Sequence, residues 1–380
     1  MPSIGKMIDV AEALRTPAVT VCAQNCTHRH HQASTCSRCE QVCPTQAITV
    51  SEDGPELDPM ACIDCGACVT ACPTGAVEPL KPPDSLLVEW VATRAACFSH
   101  VSIACARIPS PGRSIATVPC LARLDPSLLL FAFAKGADSV SLYTGTCGEC
   151  SEGLAPRVES LGADTRRLLD QFRLSGSIDV REGLEPSESG EAPAGGLTRR
   201  GFFEALRRGG RGYGAKALTA LMPESEGAVE QELPRRELPI YVPAMRRRLL
   251  VSLRALVPEG SEEREVSGPF LAPELDRERC DGCAICGRIC PTGALGIEGD
   301  GDDDTLRITC LESVCVGCGL CAEICRHQAI SLAPIPAGRA LARGAGCRTL
   351  FVRGRREAEA LFVPVEDRMK KLLGAAIHRV

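Results

Sequence analysis

The sequence predicts three folded parts: small α+β modules at both ends and a small parallel α/β domain in the middle. Dense cysteine runs near both ends predict the outer modules. Between them, β-type runs alternate with helical segments, which is the pattern of a parallel sheet. We place the three parts at residues 15–82, 84–182 and 268–335. Residues 183–260 form a linker with a basic helical segment, and residues 336–380 form a C-terminal extension.

The composition indicates what the cysteines do. The chain has 380 residues and 24 cysteines, but only one Trp and three Tyr. The first residues lack the apolar stretch of a signal peptide, and the longest apolar run, residues 128–134, is too short to span a membrane. We therefore expect a cytoplasmic, reducing setting in which thiols bind metal rather than form disulfides.

The net charge of −5 is unevenly distributed along the chain. Residues 197–256 carry 12 Lys and Arg against 6 Asp and Glu, a local charge of +6. The segment lacks interleaved aromatic residues and any known nucleic-acid motif, so nucleic-acid binding is not expected. It is more typical of a docking surface for an acidic partner protein, or of a solvated helical face.

The N-terminal module contains one complete cysteine run, CIDCGACVTACP, with the spacing C-x2-C-x2-C-x3-C-P from Cys62 to Cys72. The two-residue gaps bring thiolates from one loop onto a compact inorganic cluster. The three-residue gap turns the fourth sulfur towards a neighbouring cluster. Cysteines this close cannot all pair as disulfides, and zinc sites use C-x2-C pairs set further apart. The spacing therefore favours an iron–sulfur cluster.

The C-terminal module contains two such runs, CDGCAICGRICP from Cys280 and CVGCGLCAEIC from Cys315. Through them residues 278–332 resemble the bacterial dicluster ferredoxin, an α+β ferredoxin-like module in which each run gives its fourth ligand to the other cluster. The resemblance implies two 4Fe-4S clusters, one held by Cys280, Cys283, Cys286 and Cys325 and the other by Cys315, Cys318, Cys321 and Cys290. Arg326 replaces the usual proline after the last ligand, and Cys310 is left over as a small buried residue or a thiol.

The first N-terminal run, CSRCEQVCP, lacks its first cysteine, because Ala33 stands where that ligand is expected. By the same resemblance, the N-terminal block is a second dicluster module with crossed ligands. One cluster is then held by Cys62, Cys65, Cys68 and Cys43. The other takes Cys36, Cys39 and Cys72 and is one ligand short.

The missing ligand has several candidates in the preceding loop. Lengthening a loop adds only modest closure entropy, so Cys26 or Cys22 could reach the cluster, and Cys26 needs the shorter loop. A nitrogen ligand could come from His28, His30 or His31, as histidine does in Rieske-type centres. A separate zinc site from Cys22, Cys26 and a histidine pair would leave the neighbouring cluster without its fourth ligand. We favour Cys26.

In the middle domain, three β-type runs each end at a cysteine, and these are Cys105, Cys120 and Cys147. DPSLLLFAFAKGA has helical spacing with a glycine stop, and a further helix and a last strand follow. Open α/β sheets bind ligands at the carboxyl ends of their strands. The three cysteines, together with Cys150, are therefore predicted to converge on one metal or iron–sulfur site.

Residues 98–181 resemble the iron–sulfur delta subunit of methyl-viologen-reducing hydrogenase. The matching text is VPCLARLDPSLLLFAFAKGADSV, followed by a strand and the turn GTCGEC. The resemblance implies a 2Fe-2S cluster, for which Cys105, Cys120 and Cys150 match best by position. The family's paired cysteines after the first strand are not evident here, and the later pair, Cys147 and Cys150, is closer together. Bound zinc is the alternative.

These features predict a polyferredoxin: an electron carrier with four 4Fe-4S clusters and a fifth metal site. Clusters held wholly by cysteine have no open position for substrate, so no catalytic residue is assigned. The resemblance implies a catalytic partner such as a hydrogenase, formate dehydrogenase or heterodisulfide-reductase-like enzyme. Two alternatives stay open. One is an enzyme that uses Cys147 and Cys150 as a redox dithiol, and the other is a scaffold or maturation protein with structural metal.

Overall fold

The computed structural model describes residues 18–108, 114–147, 153–184, 240–257, 270–299, 305–341 and 347–354. Cys150, residues 198–222 of the basic segment and the acidic residues 300–304 lie outside these ranges. The chain divides into two compact units, residues 1–232 with 243–261, and residues 233–242 with 262–380. No helix in the described ranges is long and apolar enough to cross a bilayer.

The first unit begins with two short antiparallel strand pairs. Strand β1 (Val19–Val21) pairs with β4 (Val77–Pro79), and β2 (Ile48–Ser51) forms a hairpin with β3 (Gly54–Leu57). Gly54 has φ +114°, a value that favours glycine at the hairpin turn. Short helices lie in the cysteine loops: α1 (Thr27–His30), α2 (Arg38–Gln41) and α3 (Ala67–Ala71). Their core includes Val19, Ile48 and Val69.

The middle of this unit is a four-stranded parallel sheet, which confirms the predicted parallel α/β domain. Its strands are β5 (His100–Cys105), β6 (Ala116–Val118), β7 (Ser139–Thr144) and β8 (Ser177–Glu182), in the order β6-β5-β7-β8. Helices α4 (Asp84–Cys97), α5 (Pro126–Ala134) and α6 (Ala155–Phe172) connect and flank them. A 3-10 turn, Leu121–Arg123, follows Cys120. The central strands β5 and β7 are almost wholly buried, as parallel strands between helices should be.

Helix α7 (Ala244–Leu256) packs against α5 in the same unit. The sequence placed this basic helix in a linker segment, with a docking surface or a solvated face as its role. Its leucines Leu249, Leu250 and Leu253 are buried instead, and so are two of its arginines. Arg248 is only 6% exposed and lies between Asp125, at 2.6 Å, and Asp84, at 2.5 Å. The positive charge of Arg248 is therefore paired with aspartates inside the unit.

The second unit repeats the same plan. Strand β9 (Leu271–Leu275) pairs with β12 (Ile330–Pro334), while β10 (Leu295–Gly299) pairs with β11 (Thr305–Leu311), all antiparallel. Short helices again lie in the cysteine loops: α8 (Ile285–Arg288), α9 (Leu320–Glu323) and, after β12, α10 (Ala337–Leu341). A last strand, β13 (Cys347–Gly354), joins β11 to make a three-stranded sheet. Part of the predicted C-terminal extension thus belongs to the module's sheet.

Candidate metal centres

The first cysteine cavity of the N-terminal module has a volume of about 320 Å³, and its wall includes four thiols: Cys43, Cys62, Cys65 and Cys68. Cys62 and Cys65 come from the loop that leads into α3, and Cys68 lies in α3 itself; Asp64 and Gly66 of this loop adopt left-handed conformations and turn the chain tightly. Burial, with the neighbouring thiols, raises the pKa of Cys68 to about 12. So many thiols in one small space favour deprotonation only when a metal group supplies positive charge. The donor set therefore fits an iron–sulfur cluster.

The second cavity, of about 380 Å³, is lined by Cys26, Cys36, Cys39 and Cys72. Burial raises the pKa of Cys39 to about 11, with a further contribution from Cys72. Burial also raises the pKa of Cys26, to which Cys72 and Cys36 add. Cys22 does not line this cavity, and its backbone N–H donates to the carbonyl of Ala76 at 2.7 Å. The loop that precedes Cys36 thus places Cys26, and not Cys22, in the wall of this cavity.

Each cavity takes one cysteine from the other run, as crossed ligation requires. Cys43 lies with the later run and Cys72 with the earlier one. Both crossing sulfurs accept a backbone N–H bond of 3.2 Å from the residue four positions on, Ala47 for Cys43 and Ala76 for Cys72. In the second unit, Cys325 accepts the same bond from Ala329 at 3.3 Å. Such bonds stabilise a thiolate and tune a bound cluster.

One histidine of the N-terminal loop faces the second cavity. His28 Nε2 donates to the carbonyl oxygen of Cys36 at 2.7 Å, while its buried Nδ1 has no hydrogen-bond partner. His30 and His31 bond loop backbone instead: His30 Nε2 donates to Gln24 O at 2.9 Å, and His31 Nδ1 accepts from Ala33 N at 3.1 Å.

In the second unit, a cavity of about 480 Å³ is lined by Cys280, Cys283, Cys286 and Cys325, with Cys321 at its edge. Burial raises the pKa of Cys286 to about 12, and Cys283 and Cys280 add to the shift. Cys321 marks the other predicted group, because its pKa is raised by burial and then by Cys318, Cys315 and Cys290. Cys310 is fully buried on β11, which agrees with one of the two roles predicted for it.

The residue that replaces proline, Arg326, ties the two cysteine loops of this cavity together. Arg326 Nη2 donates to Asp281 Oδ2 at 2.5 Å, and Asp281 Oδ1 accepts the backbone N–H of Cys283 at 3.1 Å. His327 Nε2 lies 3.0 Å from the same carboxylate. Burial acts to raise the pKa of Asp281, but the hydrogen bonds from Arg326 and Cys283 outweigh it and hold the pKa well below its usual range. The pair therefore stays ionised.

The middle-domain cysteines meet at the carboxyl ends of three neighbouring strands. Cys105 ends β5, Cys120 follows β6, and Cys147 follows β7. All three line a cavity of about 540 Å³, the other side of which carries Cys65 of the N-terminal module. Burial raises the pKa of Cys120 to about 11, with additions from Cys105, Cys65 and Cys147. Within the described ranges, no three Cys, His, Asp or Glu side chains close around a single metal-ion position.

Comparison with known proteins now identifies the parts. Residues 34–76 and 279–329 match the family model of the 4Fe-4S dicluster domain. Residues 87–176 match the family model of the methyl-viologen-reducing hydrogenase delta subunit. Two dicluster domains flank a delta-subunit domain. The two dicluster matches support 4Fe-4S clusters, up to four in number, and an iron–sulfur electron-transfer role.

Individual relatives match short parts of the chain. One subunit of an ion-translocating oxidoreductase complex from Methanosarcina acetivorans is 49% identical over 43 residues, 11% of this chain and 16% of that protein. One subunit of the Na(+)-translocating ferredoxin:NAD(+) oxidoreductase complex from Acetobacterium woodii is 40% identical over 52 residues, 13% and 16% of the two chains. A ferredoxin of Rickettsia felis is 42% identical over 53 residues, 14% of this chain and 46% of that one. The chain therefore spans about a sixth of the first two relatives and just under half of the ferredoxin.

Residues beyond the cysteines also surround the centres, and sequence reasoning missed them. Arg157, in the first turn of α6, donates from Nη2 to Thr70 Oγ1 at 2.8 Å, and Thr70 lies in α3 beside Cys68. Thr70 Oγ1 is also 3.1 Å from the carbonyl oxygen of Ala122 in the 3-10 turn. Arg123 packs so closely on the cysteine loop that a Cβ at Gly66 would lie 2.8 Å from its Cγ. No motif could have found these residues, because they come from elements distant in sequence.

Proposed function

We propose that this protein is an iron–sulfur electron relay that serves a larger redox enzyme complex. The observation that carries the proposal is the grouping of thiols: two N-terminal cavities have four cysteines each in their walls, the C-terminal cavity has five, and a further group is indicated around Cys321. Fully cysteine-held 4Fe-4S clusters supply reversible one-electron transfer. The chain's own contribution is to exclude water from these thiols, to fix their spacing, and to set the surrounding charge.

The ligand sets follow the cavity walls. In the N-terminal module we assign one cluster to Cys26, Cys36, Cys39 and Cys72, and the other to Cys43, Cys62, Cys65 and Cys68. In the C-terminal module we assign one to Cys280, Cys283, Cys286 and Cys325, and the other to Cys290, Cys315, Cys318 and Cys321. The burial of Cys26 and its place beside Cys36 support it over Cys22 as the first ligand.

A fifth site is proposed in the middle domain, at Cys105, Cys120, Cys147 and Cys150. The convergence of the first three at the strand ends supports it. A 2Fe-2S cluster is the assignment that the sequence resemblance favours. Mössbauer spectra of protein enriched in iron-57 distinguish this cluster type from 4Fe-4S. Replacement of Cys120 by serine should remove or alter that component alone, and an unchanged spectrum in the Cys120→Ser protein rules the site out.

The partner is proposed to be a catalytic subunit of the hydrogenase, formate dehydrogenase or heterodisulfide-reductase-like kind. The delta-subunit match supports this class, and two relatives named as subunits of oxidoreductase complexes are consistent with a place in an assembly. Mixing the anaerobic protein with a purified hydrogenase and hydrogen should bleach its visible absorbance. Failure to bleach with each of the three enzyme classes and their substrates contradicts the proposal.

Metal analysis tests the relay itself. Four clusters of four irons require about sixteen irons per chain, or more if the middle domain also binds iron, with equal sulfide, in protein purified without oxygen. About eight irons, or mostly zinc, would contradict the relay and favour a scaffold with structural metal. Iron–sulfur signals accompanied by a titratable dithiol that is lost in Cys147→Ser would instead favour an enzyme with its active site in the middle domain.

A further inference from the structure

The N-terminal module and the middle domain share a cysteine in the walls of two neighbouring cavities. Cys65 lines both the cavity that holds Cys43, Cys62 and Cys68 and the cavity that holds Cys105, Cys120 and Cys147. The other N-terminal cavity, with Cys26, has no such shared residue with the middle domain among its described lining residues. The two centres of this module are therefore not equivalent, and only the Cys65 centre borders the middle domain through a common side chain.

A single arginine stands at this wall. Arg157 lies in α6 between Ala155 and Val158, which both line the middle-domain cavity. Its guanidinium reaches across to Thr70 Oγ1 at 2.8 Å, in the helix that carries Cys68. Its Nε is buried and has no hydrogen-bond partner. The guanidinium is therefore held at the cysteine loop with donor capacity that the protein chain does not use.

The charged groups around Arg157 also favour an interaction with the neighbouring cysteines. No acidic side chain of the described ranges forms an ion pair with it, whereas Arg248 has two aspartates and Arg326 has one. Burial lowers the pKa of Arg157, and the two groups that act to raise the pKa again are Cys65 and Cys68. A buried cation without an acidic partner is costly unless another anion lies nearby. Deprotonated cysteines around a reduced iron–sulfur cluster provide that anion.

We propose that Arg157 is a positioning residue for electron transfer, which raises the reduction potential of the cluster held by Cys43, Cys62, Cys65 and Cys68 above that of its neighbour. Reduction adds one negative charge, and a fixed, half-buried cation stabilises the reduced form more than the oxidised form. The most readily reduced centre of the N-terminal pair is then the one that borders the middle-domain cavity. This inference rests on the proposed ligation of these cysteines.

Redox titration of the full-length protein, followed by EPR, tests the role of Arg157. In Arg157→Gln, the midpoint potential of one cluster should fall by about 59 mV. At the wild-type midpoint potential of that cluster, the ratio of reduced to oxidised cluster should therefore be about tenfold lower, as expected for a one-electron couple. The midpoint potentials of the other clusters should not change. Arg157→Lys keeps the charge and should shift the ratio by less than half as much on the potential scale. If Arg157→Gln loses iron, Arg157→Met, which keeps more of the apolar stem, is titrated under the same criterion.

The matched control is Arg167→Gln, which removes an equal charge from the same helix at a side chain that is 65% exposed. It should leave every midpoint unchanged. Full iron content with an unmoved midpoint in Arg157→Gln overturns this inference and leaves the relay intact. Equal shifts in the Gln and Lys variants, or in the Arg167 control, overturn it as well. Wild-type protein that lacks iron–sulfur clusters in the N-terminal module overturns the relay and this inference together.

Discussion

The two dicluster modules share their strand pairs and cysteine loops but differ in what surrounds those loops. In the first unit, the middle domain supplies the neighbouring charges, through Arg157 and the closely packed Arg123. In the second unit, the module supplies its own, through Arg326 and Asp281 on the two loops that they connect. The cysteine motif determines which kind of group is bound, whereas residues outside the motif determine its electrostatic surroundings.

The modules also differ in the loop that delivers the first ligand. Val21 ends β1 and Cys36 follows 15 residues later, whereas Leu275 ends β9 and Cys283 follows 8 residues later, so the N-terminal loop is 7 residues longer. The 3-10 turn Ala23–Asn25 and helix α1 occupy the added length. If Cys26 is the first ligand, as we propose, the longer loop supplies from a different place in the sequence the ligand that Cys280 supplies in the second unit.

Replacement of Cys26 by alanine should have the largest effect, because it should remove a whole cluster. It tests whether Cys26 is the first ligand in the N-terminal module, as Cys280 is predicted to be in the second. We expect Cys26→Ala to lose about four irons per chain, as Cys280→Ala should in the second unit. Cys22→Ala is the matched control, since Cys22 lies outside the cavity, and it should keep full iron. Iron and sulfide analysis measures all three. A Cys26→Ala protein with full iron would show that the two modules do not share this ligand position.

Much of this comparison could be predicted from the sequence. The spacing of Cys62 to Cys72 predicted the dicluster chemistry, and the strand ends predicted that Cys105, Cys120 and Cys147 would meet. Both predictions depend on local rules, namely loop geometry and the common edge of parallel strands. Contacts between distant elements were beyond those rules. The burial of Arg248 beneath α5, and the reach of Arg157 to Thr70, depend on packing that sequence periodicity does not encode.

Buried ion pairs extend the comparison, because the described part of each unit contains a triad of charges, and the two triads have opposite signs. In the first unit, Arg248 lies between Asp84 and Asp125 and also donates from Nε to Ser127 at 2.9 Å. Arg248→Met leaves Asp125 without its close cation and leaves Asp84 with Arg123 alone, at 3.9 Å, so we expect a loss of about 3–5 kcal/mol in the free energy of unfolding. The neighbouring Arg247 is exposed, and Arg247→Met should cost less than about 0.5 kcal/mol. Denaturant unfolding followed by circular dichroism compares them, and equal losses would show that the triad adds nothing.

In the second unit, Glu312 is 2% exposed and lies between Arg339 and Arg348, whose side chains are 42% and 35% exposed. Water can solvate both arginines when the carboxylate is neutralised. Glu312→Gln should therefore cost about 1–3 kcal/mol, less than the Arg248 change. Glu278→Gln, at an exposed position of the same unit, is the control. A Glu312 loss larger than the Arg248 loss would contradict the idea that partner exposure sets the difference.

The smallest expected effect concerns the exposed counterpart of Arg157. Arg326 is 50% exposed, and its pair with Asp281 therefore resembles surface ion pairs, which contribute about 0.2–1 kcal/mol. Arg326→Gln should lower the midpoint of one C-terminal cluster by about 10–40 mV, the equivalent of that energy, because both the lost cation and the freed Asp281 carboxylate disfavour added electrons. At about 1 M salt, where the Debye length is about 3 Å, the shift should vanish. The Arg157→Gln shift should decrease less at that salt concentration, because Arg157 is half-buried and its Nε is covered by the protein. EPR-followed titrations at low and high salt measure both, and the same salt dependence in the two variants would mean that the modules do not differ in how they place charge beside their cysteines.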